Sequence, residues 1–471
     1  MIVAALIIVL VNVGMMITLA HLHWFGRVIA VVGLIFASLV IMVRKEAADT
    51  PIWFVVLVTL AVQLPHLFFE PRTSDDAYRH IWDGRVLLAG IDPYRFVPLD
   101  PALAHLRDPL LFPDGEPLLI NRPGVPTIYP PIAHLWFAVV AFLTPPALGT
   151  LGVQTAAAGA VVLTSWLLAR FLVERSGWAL LYGACPAVAL EAANGAHLDA
   201  IAALCIFGLG WAAVRRRHWL AGVFLGLAGG IKLVPLLLIP AFLRHGRWRT
   251  SVMGIGVVAA SYVPHLLAVG VLAFGFLPGY WREEGYDGGR RFALLSWLPE
   301  PWRMPVALVL AASCAVLAIV RSAREPVLVT CCWLYGCAFL IATPIYAWYA
   351  LPFVVLVIMA GRLEWLSVWA ALYVAFVFDQ ETWVQALAFG TALAVVAISA
   401  PYGGSEPGVR ALPRRRRLIL SRRQFRGTSL GVCRRLCPQA SLLRVTARCQ
   451  SRHDRRLHCD LSVSTYTYRS A

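Results

Sequence analysis

Apolar runs separated by short polar segments dominate the chain. Each run holds about 17 to 25 residues, which is enough for one helix to cross the hydrocarbon layer of a membrane. This pattern predicts an all-α, polytopic transmembrane bundle of about twelve spans. The predicted spans lie near residues 2–20, 28–43, 52–69, 151–172, 178–193, 197–214, 251–277, 303–320, 327–342, 345–361, 363–378 and 383–400.

Two further apolar segments, Tyr129–Leu143 and Leu220–Leu243, would disturb the alternation of sides if they crossed the membrane fully. The first begins with two prolines, and the second contains a glycine pair and Lys232. Pro and Gly interrupt helices, and broken backbone is tolerated at membrane depth where it lines a cavity. We therefore expect each segment to be a pair of half-helices or an interfacial segment that returns to its own side.

The composition agrees with a membrane protein. Hydrophobic residues make up 59% and charged residues 14% of the 471 positions. A soluble domain of this length needs more charged surface, so a soluble fold is excluded. Several cysteines lie inside apolar runs, where a free thiol behaves as a small hydrophobic group, and no disulfide framework is predicted. These are Cys185, Cys205, Cys314, Cys331, Cys332 and Cys337.

The arginines set the predicted orientation, because cytoplasmic loops carry an excess of Lys and Arg. Basic clusters occur at residues 44–45, 215–218, 244–249 and 321–324. With these clusters inside, both termini are cytoplasmic and the long polar loop, residues 70–127, is outside. The net charge of +16 is concentrated after residue 402, so the body is nearly neutral and no nucleic-acid partner is predicted.

We divide the chain into a transmembrane body, residues 1–402, and a basic tail, residues 403–471. The tail contains 16 Arg and 3 acidic residues and shows neither helical nor strand periodicity. It is predicted to be a disordered cytoplasmic segment attracted to anionic lipid, although a shifted reading frame would also explain the abrupt change of composition. The spacing of its Cys and His residues disfavours a zinc site.

One segment of the polar loop has the features of a helix. Ser74 is a suitable N-cap and Gly90 with Pro93 ends the element, so Asp75–Ala89 is predicted to be helical. Its polar and apolar side chains separate at roughly 100° per residue, which predicts an amphipathic helix resting on the outer leaflet. The polar face holds Asp76, Arg79, His80 and Asp83, and the other side holds Tyr78, Ile81, Trp82 and Leu88.

Asp75 and Asp76 are open to two interpretations. Acidic residues in a first turn favour the helix dipole and the free N–H groups of the helix. A carboxylate that directly follows a span, beside Arg79 and His80, can instead act as a general base. Sequence spacing does not separate these interpretations.

Other polar residues are predicted to reach the same outer face. Asn194, His197 and Asp199 lie at the turn between two spans, where they either cap the next helix or line a site. The aromatic residues at 346–349 and in the loop 281–291 are typical of the interfacial belt and also of a binding surface.

Lys232 lies within an apolar segment, where an ammonium group costs several kcal/mol unless it is paired or hydrated. Two interpretations follow. Either the side chain snorkels to the inner surface, or it faces a polar cavity and binds an anion such as a phosphate.

Six motifs follow one another along the body: Asp76–Arg85, Gly90–Tyr94, Thr127–Pro131, Gly195–Ala200, Ile231–Pro235 and Tyr346–Tyr349. Together they resemble the polytopic GT-C glycosyltransferases, specifically the mannosyltransferase-like proteins of glycosyltransferase family 87. The resemblance implies an inverting enzyme that moves a sugar, expected to be mannose, from a polyprenyl-phosphate donor to a glycan or glycolipid acceptor. It also implies a multi-pass protein of the bacterial plasma membrane whose active site faces outside.

The resemblance also assigns roles to residues. In such enzymes an acid of the first large outer loop is the base, and here Asp76 holds that position with Asp75 beside it. The candidates for binding the donor phosphate are Lys232, Arg79, Arg85 and Arg290. The candidates for binding substrate are His80, Asp83, His197, Asp199, Tyr129, Tyr346, Trp348 and Tyr349.

No cofactor is expected. The scheme requires no nucleotide, and the sequence contains neither a glycine-rich phosphate loop nor a cluster of metal ligands, although a divalent metal ion is compatible with the scheme. The alternative function is a transporter or flippase of a lipid-linked sugar, because broken helices and a membrane lysine also suit a transport path. The enzyme is favoured because the polar groups gather on the outer side instead of spreading across the midplane.

Overall fold

The computed structural model describes residues 2–18, 33, 50–113, 118–244, 246–399, 444–451 and 457–464. The chain divides into two units, Met1–Ala411 and Leu412–Ala471. The described elements of the first unit are all helical. Apart from Gly33, the predicted span at 28–43 lies outside the described residues.

The described helices of the first unit are numbered in chain order. They are α1 (Ile2–Thr18), α2 (Ile52–Gln63), α3 (Asp76–Leu88), α4 (Pro131–Leu143), α5 (Leu151–Phe171), α6 (Leu180–Gly183), α7 (Pro186–Ala189), α8 (Asp199–Val214), α9 (His218–Ile231), α10 (Trp248–Val269), α11 (Leu277–Glu283), α12 (Glu300–Arg321), α13 (Val327–Ala342), α14 (Leu351–Ala360), α15 (Leu366–Val377) and α16 (Thr382–Ser399). Short 3₁₀ turns lie between many of them, and Leu190–Asn194 is a π-helical turn.

Fewer helices than predicted are long enough to cross a membrane. Among the described residues, four segments have the length and apolar composition of a span: Leu151–Phe171, Trp248–Glu283, Glu300–Arg321 and Thr382–Ser399. A fifth is obtained if Pro186–Asn194 and Asp199–Val214, which are bent by 116° at their break, form one span. The other apolar helices have 10–17 residues, fewer than the ~20 that a straight crossing needs. The structure supports a membrane protein but does not confirm twelve crossings.

The two punctuated segments behave differently. α4 is one continuous helix of 13 residues, so a pair of half-helices is wrong there; its proline occupies the first helical position, where the missing N–H costs nothing. In the other segment α9 stops at Ile231, Lys232 has extended backbone, and a 3₁₀ turn follows at Val234–Phe242. This segment is therefore interrupted, as a pair of half-helices requires, and the interruption falls at Lys232.

α14 lies in the core of the first unit, with Leu351 to Met359 all buried. It packs against α8, which also contacts α5 and α9. A helix that is apolar on every side must be covered by protein or by lipid, and protein covers α14 all round. By contrast, α10 and α12 expose large apolar side chains such as Val263 and Val309, as helices that face lipid do.

The helix of the polar loop, α3, is buried, and this corrects the interpretation of it as a surface helix on the outer leaflet. Residues 77–84 are all buried. The apolar side of α3 packs against loop residues that include Leu103 and Leu111. The backbones of α3 and α4 approach so closely that a Cβ on Gly84 would lie 2.5 Å from the carbonyl oxygen of Phe137. Tertiary packing, which helical periodicity does not report, therefore covers the apolar side of α3.

In the second unit, β1 (Arg444–Ser451) pairs with β2 (Leu457–Ser464) as an antiparallel ladder, with Cys449 opposite Cys459. The tail sequence shows no strand periodicity, so this ladder differs from the expectation of an unstructured tail. The other residues of the tail lie outside the described residues, and their predicted disorder stays a prediction. The predicted boundary at residue 402 stays a prediction.

Candidate functional site

The N-terminal end of α3 holds the carboxylate on which the site is built. α3 begins at Asp76, one residue later than predicted, and the Ser74 hydroxyl accepts a hydrogen bond from the Asp76 N–H at 3.2 Å. Asp75 is exposed, whereas only 25% of the Asp76 side chain is exposed. The structure thus places Asp76 against other parts of the protein and Asp75 at the surface.

The Asp76 carboxylate contacts side chains from two distant segments. Its Oδ1 accepts a hydrogen bond from the Asn121 amide at 2.7 Å, and its Oδ2 lies 4.0 Å from His197 Nε2. Burial by itself would raise the pKa of Asp76, but nearby positive charge outweighs it and the pKa is lower than usual. The groups that lower it are, in decreasing order, His197, His80 and Lys232, and the Asn121 hydrogen bond adds to their effect. Asp76 is therefore ionised at neutral pH, as a general base must be.

The pKa of Asp75 shifts in the opposite direction. Partial burial raises it, and the negative charge of Asp76 raises it further. The structure brings Asp76, and not Asp75, against Asn121 and His197, which sequence spacing could not decide.

Lys232 is paired with a buried carboxylate. Its Nζ lies 2.6 Å from Asp199 Oδ2 and 3.9 Å from the centre of the Tyr349 ring. The Asp199 side chain is 3% exposed and the Lys232 side chain 21% exposed. Lys232 therefore does not snorkel to the inner surface, and Asp199 accepts an ion pair instead of only capping α8. An anion at this place would share the ammonium group with Asp199.

The aromatic residues after α13 form one side of the cluster. The His197 ring stacks on Trp348 at a centroid distance of 4.0 Å, and Trp348 stacks on Tyr346 at 4.7 Å. The hydroxyls of Tyr349 and Tyr280 are 2.7 Å apart. Trp348 is 5% exposed, so it is part of the protein interior and does not serve as a membrane-belt residue.

Arg79 and Asp83 hold the polar loop in place. Arg79 Nε lies 3.0 Å from Asp83 Oδ1, and the other Arg79 nitrogens donate to the carbonyl oxygens of Arg122 and Val125 at 3.2 Å each. The Thr127 hydroxyl donates to Asp83 at 2.7 Å. Because these groups already satisfy one another, the geometry gives Arg79 and Asp83 a structural role beside the site.

His80 lies on the buried side of the same helix, between Tyr129 and Phe137, with ring centroids 5.0 and 4.5 Å away. Burial lowers the pKa of His80 to about 3, so the ring is neutral. Its Nε2 is buried and has no hydrogen-bond partner among the described residues. His80 and Tyr129 thus belong to the wall behind Asp76.

Two predicted phosphate-binding residues lie elsewhere. Arg85 forms an ion pair with Asp108 beside an apolar cavity of about 380 Å³ at the other end of α3, roughly 13 Å along the helix from Asp76. Arg290 is exposed, and its N–H donates to the carbonyl oxygen of Gly285 at 3.1 Å. The described contacts do not bring either of these residues to Asp76.

Arg122 is a cation near Asp76 that the sequence interpretation missed. It has a φ of 43°, and it lines a small cavity of about 20 Å³ together with Asp76, Asn121 and Tyr129. Its Nε lies 3.0 Å from Glu283 Oε2, and its side chain is 40% exposed. The cavity has room for roughly one water molecule.

Glu191 was also missed, although a signal existed. It is an acidic residue within an apolar run, where an isolated carboxylate is costly and marks a functional or structural polar network. Asn121 and Arg122 carried no comparable signal, because polar residues are ordinary in a polar loop. Among the described residues, no group of three or more His, Cys, Asp and Glu side chains is placed to hold a metal ion.

The fold and the cluster define a helical membrane protein with an ionised carboxylate, a lysine and an aromatic wall at one site. The family model of glycosyltransferase family 87 matches residues 127–344, so the resemblance seen in the motifs is confirmed for that segment and supports a glycosyltransferase. The matched segment includes His197, Asp199 and Lys232, whereas Asp76 lies before it. No curated protein and no solved structure matches the chain.

Proposed function

We propose that this protein is an inverting membrane glycosyltransferase that moves a sugar, mannose, from a polyprenyl-phosphate donor to an acceptor. The observation that carries the proposal is the ionised Asp76 carboxylate beside His197 and the Lys232–Asp199 pair. The family match over residues 127–344 supports the same reaction class. A lipid-linked donor also suits a protein whose site adjoins apolar helices, since the polyprenyl chain stays in the bilayer.

In the proposed step Asp76 Oδ2 takes the proton of the acceptor hydroxyl as its oxygen attacks the anomeric carbon. The bond between that carbon and the donor phosphate oxygen breaks, and its electron pair leaves with the phosphate. One displacement inverts the anomeric configuration. The lowered pKa keeps Asp76 unprotonated and therefore ready to accept the proton.

Lys232 is the proposed partner of the donor phosphate. When the phosphate binds, the ammonium group would lie between two anions, Asp199 and the phosphate, and Tyr349 would cover one side of it. Arg122 is the second candidate, because it is partly exposed and lines the cavity next to Asp76. Arg79 bonds to Asp83 and to two backbone carbonyl oxygens, and Arg85 lies at the other end of α3, so we assign both to loop structure.

We further propose that the site faces the outside of a bacterial plasma membrane and that the acceptor is a glycan or glycolipid of the cell envelope. The support is the distribution of arginines, which places residues 70–127 outside. The cationic groups of the scheme are side chains, so transfer is expected to continue in the presence of EDTA.

The experiment compares the parent protein with Asp76→Asn, purified and placed in lipid, using polyprenyl-phosphate-mannose and a panel of lipid and glycan acceptors. Asp76→Asn is expected to lower the transfer rate at least about 100-fold, because the amide cannot accept the proton. Asp75→Asn is the matched control and is expected to stay within about threefold of the parent, since Asp75 lies at the surface.

Two results would contradict the proposal. Transfer by Asp76→Asn at the parent rate would show that this carboxylate is not the base. Movement of the lipid-linked sugar across vesicles without a new glycosidic bond would instead support the transporter. Mass spectrometry of the products distinguishes these outcomes and identifies the sugar.

A further inference from the structure

Glu191 is a fully buried acid in the π-helical turn between α7 and α8, with a side chain that is 0% exposed. Its Oε1 accepts a hydrogen bond from the Tyr373 hydroxyl at 2.9 Å, and its Oε2 accepts one from the Thr73 hydroxyl at 3.2 Å. A carboxylate this deep is costly unless several donors surround it. The chain retains this costly group next to the proposed base, which calls for a physical reason.

The reason lies in His197, whose backbone and ring both bond to Glu191. The carbonyl oxygen of Glu191 lies 3.0 Å from the His197 backbone N and 2.9 Å from His197 Nδ1, and Glu191 Oε2 lies 3.3 Å from Nδ1. A carbonyl oxygen can only accept a hydrogen bond, so Nδ1 carries the hydrogen. In the neutral ring Nε2 is then an acceptor.

The other ring nitrogen continues this chain of hydrogen bonds. Nε2 lies 2.9 Å from the Ser74 oxygen, so it accepts the Ser74 hydroxyl hydrogen, and that oxygen accepts the Asp76 N–H at 3.2 Å. The direction of every bond follows from the hydrogen on Nδ1. The stack on Trp348, at 4.0 Å and 10° between the planes, fixes the remaining rotation of the ring.

We propose that Glu191 is a positioning residue of the glycosyl transfer: its backbone carbonyl and its carboxylate together accept the hydrogen of His197 Nδ1, so that Nε2 accepts from Ser74 and carries no hydrogen near Asp76. This inference rests on the proposed role of Asp76 as the base. In the opposite tautomer Nε2–H would donate to the Ser74 oxygen, 2.9 Å away, and would bring partial positive charge to the nitrogen that lies 4.0 Å from Asp76 Oδ2. Positive charge beside the ionised form makes a carboxylate a weaker base.

The variant Glu191→Gln tests the contribution of the carboxylate, because it preserves size and the backbone carbonyl but replaces the carboxylate by an amide whose N–H would oppose the hydrogen on Nδ1 and can donate to Nδ1 once that hydrogen moves to Nε2. Replacing the acid that orients a catalytic imidazole by its amide is known to impose the wrong tautomer. We expect kcat to fall at least about tenfold while the KM for polyprenyl-phosphate-mannose stays within about twofold. Tyr373→Phe is the matched control: it removes one donor but leaves the carboxylate, and its kcat is expected to stay within about threefold of the parent.

A second readout does not depend on catalysis. Nitrogen-15 NMR of the protein labelled on histidine, held in lipid nanodiscs, reports which ring nitrogen carries hydrogen, and the His197→Gln spectrum identifies the signals of His197. The parent is expected to show a protonated Nδ1 and a bare Nε2, and Glu191→Gln is expected to shift hydrogen to Nε2.

Three outcomes would overturn the inference: a parent spectrum with hydrogen on Nε2, an unchanged kcat in Glu191→Gln, or an equal loss of kcat in Tyr373→Phe. The last would mean that Glu191 matters only for packing. If the parent and its variants transfer no sugar at all, the proposed function fails, whereas the NMR experiment still decides the tautomer. If Asp76→Asn is inactive and Glu191→Gln is fully active, the function stands and this inference fails.

Discussion

At the scale of single residues, the geometry of the site depends on how closely its parts approach one another. Gly195 directly precedes the turn that carries His197, and a Cβ built on it would lie 2.7 Å from both Cε1 and Nδ1 of the His197 ring. That ring is held by Glu191 on one side and Trp348 on another, so it has little freedom to move aside. The lack of a side chain at Gly195 leaves room for the His197 ring, and Gly195 is therefore part of the site.

Gly195→Ala is expected to displace the His197 ring and to lower kcat roughly tenfold or more, because displacements near 1 Å at a reacting centre are costly. Steady-state kinetics in lipid checks this. Gly256→Ala is the control, since a Cβ there meets nothing within 4 Å, and it should leave kcat unchanged. Parent-like kinetics in Gly195→Ala would show that the ring position is not critical.

The pH dependence of transfer follows from Asp76. A base works in its unprotonated form, so the transfer rate falls as the pH decreases through the pKa of Asp76. Positive charge around Asp76 lowers this pKa, so the rate is expected to fall below the ordinary aspartate pKa of about 4. Asn121→Ala removes a hydrogen bond that lowers the pKa, and the acid side of the kcat/KM profile is expected to move to higher pH. An acid side at the same pH in both proteins would contradict this assignment.

At the scale of elements, the close contact of α3 with α4 fixes the position of Asp76. A Cβ on Gly84 would lie 2.5 Å from a backbone oxygen of Phe137, and backbone atoms cannot shift without moving the whole helix. The sequence showed Gly84 within a helical pattern but could not show the helix packed against it. The predicted break at Lys232, in contrast, was visible in the sequence because a glycine pair and a charged residue interrupt an apolar run.

Gly84→Ala is expected to push α3 away from α4 and to destabilise the protein by about 1–3 kcal/mol. Thermal unfolding in detergent should show a lower midpoint than the parent. Gly159→Ala, in α5 where a Cβ meets nothing within 4 Å, is expected to leave the midpoint unchanged or slightly higher. Equal midpoints for Gly84→Ala and the parent would show that the two helices can separate at little cost.

At the scale of the whole molecule, the orientation in the membrane stays a prediction from the arginines. It is tested with a variant whose tail cysteines are replaced by Ser. Single cysteines are introduced into this variant, which is then expressed in cells. Leu99→Cys, at a position 46% exposed in the polar loop, should react with a membrane-impermeant maleimide from outside. Arg216→Cys, in a basic turn, should react only after the cells are opened. The reverse pattern would place Asp76 in the cytoplasm and remove the proposed access to an outer acceptor.

The sequence by itself determined that the protein is helical and membrane-embedded, where its backbone is broken at Lys232, and which carboxylates and aromatic residues were candidates. These properties depend on hydrophobicity and on Gly, Pro and charge at particular positions, all of which are local. Only the tertiary structure decided that Asp76 faces Asn121 and His197, that Lys232 pairs with Asp199, and that Arg85 lies away from the site. Such partners come from segments far apart in the chain, and side-chain direction and helix packing, which no local pattern encodes, bring them together.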